Sequence, residues 1–324
     1  MRGLFGDAPI ARHATAAAAI RRLETGGDRA PSSAVNSAAT RRPLRATLAL
    51  AVALVTSSAV ARPAPGPPWL DADGRELPFT DDRQVLEFLR TAPVTGHRML
   101  TAGINTPYRL DLALDGYRVR AIFRNVDETR RHGSSAIERQ YPSFRDHYAF
   151  EVAAYEMSRL LGLDNVPPAV LYEWRGEKGS LQLWIEESRT EAERLAAGER
   201  PVDPASWHRQ RTSMLVFDNL IYNFDRNQGN QLVDRRGKLW FIDHTRSFKR
   251  VPSLPSRDRI VVVDAALWRR LQEIRPEDIE AAVGPYLDLP QTKAVVRRHK
   301  LLLRHVESLI EERGEDKVLL DGAP

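Results

Sequence analysis

The chain of 324 residues carries 42% apolar and 28% charged side chains, the balance of a soluble globular protein with ample material for a core. It contains no cysteine, which excludes disulfides, thiolate catalysis and Cys-ligated zinc. The formal charge of +5 does not argue for a polyanion-binding body, because residues 1–61 hold eight arginines against three acids and the remainder is balanced.

Residues 1–40 are rich in Ala, Ser, Gly and Arg without apolar periodicity, the composition of a disordered leader. Arg41, Arg42 and Arg45 then precede an apolar run from about Ala46 to Val55, followed by Ala59-Val60-Ala61. A positive region, a short apolar core and an A-x-A site are the parts of a secretory signal. "TRRPL" also resembles a twin-arginine export signal. The apolar run falls short of the ~20 residues a spanning helix needs. The leader therefore predicts export, with cleavage near Ala61 and no stable membrane span in the mature chain; uncleaved, the chain is cytoplasmic. "ARPAPGPPW" at 61–69 is a proline-rich linker. Residues 62–97 as a whole are assigned to this linker and a lead-in helix.

From Arg98 the pattern changes to strands: "RMLTAGI", a turn at Asn105-Thr106-Pro107, "YRLDLAL", the turn Asp115-Gly116, and "YRVRAIF". Leu110, Leu112 and Leu114 alternate with polar residues, as do Val119, Ala121 and Phe123, the period-2 signal of a half-buried antiparallel sheet. "DETRRHGSSAIERQYPS", residues 127–143, reads as a charged loop. Residues 146–161 then place Phe150, Ala153, Ala154, Met157, Leu160 and Leu161 on one helical stripe closed by Gly162. "PAVLYEW" and "SLQLWIE" read as two further strands around "RGEKG".

The second half is mostly helical. Asp203-Pro204 marks a helix start, and Trp207, Met214, Leu215, Phe217, Leu220 and Ile221 supply its apolar faces. The polar stretch "FDRNQGNQLVDRRGKLWFID", residues 224–243, reads as a loop and two short strands. Amphipathic helices are predicted at about 264–274, 276–284 and 290–313. Within the last, "RRHK" at 297–300 reads as a solvated face, whereas Trp207, Trp240 and Trp268 read as core. The fold class is α+β: a small sheet-rich lobe and a larger helical lobe.

Three residues of the polar stretch suggest chemistry. Asp225 follows an apolar helix, Asn230 lies five residues on, and Asp243 ends the buried-looking run "LWFI". Magnesium takes hard oxygen ligands, one or two from protein and the rest from phosphates and water. Asn230 and Asp243 suit that role, leaving Asp225 to orient or deprotonate an attacking hydroxyl. His244 beside Asp243 raises a metal hydrolase, but no second ligand cluster accompanies it.

"DRNQGN…LWFIDHT" resembles the D-R-x-x-x-N…D signature of the atypical branch of the protein-kinase-like superfamily. That branch includes phosphatidylinositol 3- and 4-kinases, HipA-like kinases and secretory-pathway kinases. The His-Arg that precedes the catalytic Asp in conventional protein kinases is missing, and His244-Thr245 stands where Phe-Gly follows the metal Asp. Upstream, "AGINTPYRLDLALDGYRVRAIFR" resembles the phosphate-covering hairpin and the strand ending in the nucleotide-binding Lys. "YAFEVAAYEMSRLL" resembles the helix supplying its Glu, and "LQLWIEE" falls at the hinge. The resemblance implies a kinase-like N-lobe at 98–187 and a C-lobe at 188–324. It further implies nucleotide contacts from Gly103, Asn105, Thr106, Arg124, Trp184, Ile185 and Glu186. Metal ligands would be Asn230 and Asp243, and the catalytic residues Asp225, Arg124 and Glu151.

Arg124 stands where the family has Lys, and no lysine precedes Lys178 in a chain with six lysines against 42 arginines. Arginine keeps the charge and grips phosphate oxygens with a planar fork, but its reach differs. Either Arg124 binds the phosphates, paired with Glu151, or the chain is an impaired kinase serving as a nucleotide-binding or scaffold module. The expected activity is an ATP- and Mg²⁺- (or Mn²⁺-) dependent phosphotransferase, with a protein, lipid or small-molecule hydroxyl as acceptor. No nucleic-acid partner is expected.

Overall fold

The computed structural model of the chain describes residues 69–101, 106–130 and 144–321; the leader, Gly103 and Asn105 lie outside them. A lead-in helix, α1 (Asp82–Thr91), is capped by Asp81, whose side chain accepts from the Gln84 N–H. Its buried face, Val85, Phe88 and Leu89, covers one side of a sheet. That sheet begins with β1 (Val94–Met99), four residues before the predicted start at Arg98, followed by β2 (Tyr108–Leu114) and β3 (Tyr117–Arg124).

Alternation fixes which side faces the helix. Leu110 and Leu112 are buried opposite Ala121 and Val119, so Arg118, Arg120, Ile122 and Arg124 lie on the other face. The β2–β3 turn holds Asp115 at φ 50° and Gly116 at φ 79°, the two left-handed residues of a tight hairpin. β6 (Ala169–Trp174) and β7 (Glu177–Leu183) complete an antiparallel sheet of order β1-β2-β3-β7-β6. Gly179 on β7 permits a close approach, since a Cβ there would collide with the Arg124 carbonyl and the Phe123 ring.

Between β3 and the next helix, "DETR" is not loop but strand. β4 (Asp127–Arg130) pairs antiparallel with β5 (Phe144–His147). The helix that follows, α2 (Ala149–Leu160), is buried on nearly every side and ends before Gly162, at φ 71°. Its Phe150, Ala153, Ala154 and Met157 belong to the larger core rather than to the sheet's own.

The larger core is helical. Downstream of β8 (Ser188–Thr190) and the short α3 (Glu191–Ala196) come α4 (Pro204–Ile221), α5 (Ala265–Glu273), α6 (Pro276–Val283) and α7 (Leu289–Arg313). They pack Phe217, Leu220, Trp268, Leu271, Ile279, Val295 and Leu302 against α2. β9 (Gln231–Asp234) and β10 (Leu239–Phe241) form a hairpin that joins β8 in a small sheet of order β10-β9-β8. The architecture is α+β, a sheet-rich part and a helical part. Trp207, Trp240 and Trp268 are buried, as their place in the pattern predicts.

The run at 297–300 corrects the prediction of a solvated face. Arg298 is fully buried and donates to the carbonyls of Leu220, Lys249 and Val251. Leu220 lies in the last turn of α4, where a helix leaves carbonyls without intrahelical donors. Burial pushes the Arg298 guanidinium down to about 9, partly countered by Tyr222. Among the described residues no helix is long and apolar enough to cross a membrane.

Candidate functional site

Arg124 ends β3 on the face turned away from α1, and Glu151 lies in the first turn of α2. The Arg124 Nε stands 3.7 Å from Glu151 Oε1, with Glu151 completely buried. Glu151 also accepts from the His244 backbone N–H at 3.0 Å, from His244 Nδ1 at 3.1 Å and from Gln182 Nε2 at 3.4 Å. Burial alone would raise its pKa, but the Arg124 charge and the His244 bonds outweigh that and hold the carboxyl at about 2. One atom of this arginine is left over: Nη1 is buried and has no hydrogen-bond acceptor among the described residues.

The polar stretch after α4 folds around a second arginine. Arg226 donates from Nε and Nη2 to Asp218, from Nη1 to the carbonyls of Asn230 (2.6 Å) and Ile242 (2.8 Å), and from Nη2 to His244 Nε2 at 2.9 Å. A guanidinium cannot accept, so Nε2 is the acceptor and the ring proton sits on Nδ1, where it donates to Glu151. A continuous chain therefore runs from the 225–230 loop through Arg226 and His244 to Glu151 and Arg124. His244 does nothing resembling metal-hydrolase chemistry here; both ring nitrogens are occupied by protein.

Asp225 is fixed at its backbone by Asn223 Oδ1, which accepts its N–H at 3.1 Å. The Asn230 amide nitrogen donates to the Asp225 carbonyl at 2.9 Å. That bond leaves the amide oxygen of Asn230 as the atom able to meet a cation. Asp243 follows β10 at φ 60°, a left-handed conformation that costs a non-glycine residue roughly 1–2 kcal/mol. Such strain is tolerated where the surrounding structure imposes it, often at functional sites. Burial pushes the Asp243 carboxyl up; Glu151 and Asp146 add to the rise while Arg124 and His244 oppose it. Arg124 thus lies within electrostatic reach of both Glu151 and Asp243.

Trp184, Ile185 and Glu186, expected at a hinge, form a separate group. The Trp184 N–H donates to the Arg120 carbonyl at 2.9 Å, Ile185 is buried with its carbonyl accepting from Ser188 Oγ, and Glu186 pairs with Arg120. Burial raises the Glu186 carboxyl despite that partner. Thr106 is exposed at the start of the segment leading into β2. The structure brings together Arg124, Glu151 and Asp243 on one side, and Asp225 and Asn230 on the other, joined by Arg226 and His244.

Four further participants take their roles only from the fold. Arg226 stood inside the quoted motif, and His244 was adjacent to Asp243, yet their roles depend on contacts with α2 and α4. Arg246, which bonds Asp225 Oδ2 at 3.1 Å and Asp146 Oδ2 at 2.9 Å, had no local signal, nor did Asp146. Among the described residues no three His, Cys, Asp or Glu side chains gather as a metal site of their own.

The sequence matches no family model and no curated protein. The fold, however, resembles that of solved structures. A structure of hydra Fam20 with sugar shares 16% identity at a TM-score of 0.55, covering 75% of this chain and 93% of that one. The Golgi casein kinase shares 15% identity at a TM-score of 0.55, covering 75% and 78%. The same kinase with Mn/ADP bound gives 15% identity and a TM-score of 0.56, covering 75% and 80%. The chain has the kinase-like fold of these structures.

Proposed function

We propose that this protein is an atypical kinase that uses ATP and Mg²⁺ or Mn²⁺ to transfer the γ-phosphate to a hydroxyl acceptor. The observation that carries the reading is Arg124. It is a partly exposed cation paired with Glu151, in electrostatic reach of Asp243, whose Nη1 is buried and lacks an acceptor among the described residues. A buried donor without a partner costs about 1–3 kcal/mol, and a phosphate oxygen is the acceptor a guanidinium fork suits best. The kinase-like neighbour with Mn/ADP bound supports a nucleotide and a divalent ion as the ligands.

In this reading Arg124 binds phosphate oxygens and Glu151 fixes its orientation. His244 and Arg226 hold the Asp243 segment against the 225–230 loop, so nucleotide and acceptor sides keep one geometry. Asn230 and Asp243 present oxygens to a divalent ion, which when bound neutralises charge on the transferring phosphoryl group. Asp225 orients the acceptor hydroxyl and takes its proton. Trp184, Ile185 and Glu186 border the nucleotide base, and Thr106 lies on the side of its phosphates. The lobes divide at about residue 187. The leader directs export, with its signal cut near Ala61.

Thermal shift and phosphate release with MgATP and MnATP test the reading. The parent should be stabilised by metal–nucleotide and release phosphate. Asp243→Ala should remove the shift and lower turnover by about 100-fold or more, the scale on which lost transition-state stabilisation shows. The reading is overturned if neither metal supports phosphate release and Asp243→Ala leaves nucleotide binding unchanged. Arg124→Lys separates the alternatives: higher turnover marks drift from an ancestral lysine, whereas no nucleotide stabilisation in either protein marks a scaffold.

A further inference from the structure

We propose that Arg246 is a positioning residue that ties the β4–β5 hairpin to Asp225 through Asp146 and leaves one carboxylate oxygen of Asp225 for the acceptor. The assignment of an acceptor to Asp225 rests on the phosphotransferase reading; the tether does not.

Three contacts define the tether. Arg246 Nε donates to Asp146 Oδ2 at 2.9 Å, and its Nη1 donates to Asp225 Oδ2 at 3.1 Å. The backbone N–H of His147, next to Asp146, donates to the Thr245 carbonyl at 2.8 Å, next to Arg246. Asp146 is buried, so its charge requires cations close by. Arg246 is one, and Lys249 is another that feels its charge. The Lys249 ammonium in turn sits 4.7 Å from the centre of the Phe224 ring, one residue before Asp225. The hairpin therefore reaches the loop of Asp225 through two cations that share one buried carboxylate.

The geometry has a chemical consequence. A free guanidinium beside a carboxylate settles into two parallel bonds and occupies both oxygens. Arg246 instead divides its donors between two carboxylates, Nε on Asp146 and Nη1 on Asp225 Oδ2, and Asp225 Oδ1 takes no bond from any described residue. Asp225 is only partly buried, and without a tether its side chain would sample other rotamers. The bond to Oδ2 holds it while leaving an oxygen open. The hairpin also lies in sequence between Arg124 and Glu151, so one element connects the acceptor side of the site to the phosphate side.

Amide hydrogen exchange and phosphate release from MgATP test this on Asp146→Asn, Arg246→Gln, Arg246→Lys and the double variant Asp146→Asn/Arg246→Gln. Asp146→Asn and Arg246→Gln should each speed exchange at residues 223–231. Each should lower the rate of phosphate release by about 10-fold or more, a modest misplacement of a reacting group, while the affinity for MgATP stays within about twofold. Arg246→Lys, which keeps a cation on Asp146, should recover part of the rate and serves if the glutamine variant fails to fold. The double variant should be no slower than Arg246→Gln, because both changes break one tether. Multiplying effects, or unchanged exchange at 223–231 in Arg246→Gln, overturn the proposal. If the parent itself releases no phosphate, the phosphotransferase reading falls, and the exchange rates alone uphold or overturn the tether.

Discussion

Arg124 and Arg226 stand at opposite ends of one chain of polar contacts, hydrogen-bonded from Arg226 through His244 to Glu151 and closed by the Glu151–Arg124 ion pair, and they are used in opposite ways. Every N–H of Arg226 has a protein acceptor: Asp218, two backbone carbonyls and His244. Arg124 has a 3.7 Å approach to Glu151 and a buried Nη1 without an acceptor among the described residues. A cation whose donors are all occupied is framework. Arg124, with a donor left over and Asp243 within electrostatic reach, is placed to meet something that arrives. The same residue type thus serves two purposes, decided by how many acceptors the fold brings to it.

The comparison predicts its largest effect at Arg226. Substitution by Met would leave Asp218, itself buried, with only the Asn223 amide at 3.1 Å among the described residues. Breaking a buried ion pair from one side costs about 3–5 kcal/mol. Urea unfolding should show a loss of that order, and the Asn230 and Ile242 carbonyls would lose their common donor as well. A loss under about 1 kcal/mol, the level of an exposed pair, would break the distinction.

Arg124→Met should cost less, and its cost should depend on pH. The Glu151 carboxyl, held at about 2 against an ordinary 4.5, contributes stability that is present above pH 4.5 and is lost as pH falls toward 2. A shift of this size corresponds to roughly 3 kcal/mol. Without Arg124 the folded pKa rises, so the variant should be less stable than the parent at pH 7, by about 2–3 kcal/mol. The gap should narrow as pH falls below 4.5, since protonated Glu151 no longer needs the cation. Urea midpoints of both proteins between pH 7 and 2.5 check this. A gap independent of pH would mean that Arg124 stabilises by packing rather than by charge.

The two arginines also show how far the sequence could be read. β2 and β3 were legible to within a residue because Leu110, Leu112, Val119 and Ala121 alternate locally, and Arg124 was legible as the strand's end. The long helices were legible from their apolar stripes and their Asp and Pro starts. β4 was not, because "DETR" holds no apolar residue and is a strand only through pairing with residues distant in sequence. Arg298 was misread for a related reason. Charge predicts exposure, and nothing local reveals that the Leu220, Lys249 and Val251 carbonyls need a donor. The candidate site divides the same way. The spacing of Asp225, Asn230 and Asp243 was on the page, whereas the wiring through Arg226, His244 and Arg246 exists only after α2 and α4 pack together.

The smallest expected effect tests whether framework and site can be separated at all. Asp203 caps α4: its Oδ1 accepts the N–H groups of Ala205 at 2.9 Å and Ser206 at 3.1 Å, and Pro204 has no N–H to satisfy. Replacing such a cap by Ala costs about 1 kcal/mol, or roughly 2–4 °C in Tm for a domain of this size. The far end of the same helix carries Asp218, the anchor of Arg226, and leads into the loop of Asp225. At 1.5 Å per residue the 18-residue helix puts these ends about 27 Å apart, far beyond the first turn that a cap influences. Asp203→Ala should therefore lower the Tm of the free protein while leaving the additional shift produced by MgATP unchanged. If that shift fell along with the baseline, the helix would be transmitting the loss to Asp218. Arg226 would then belong to the working site as much as Arg124, and counting unoccupied donors would not be enough to tell framework from function.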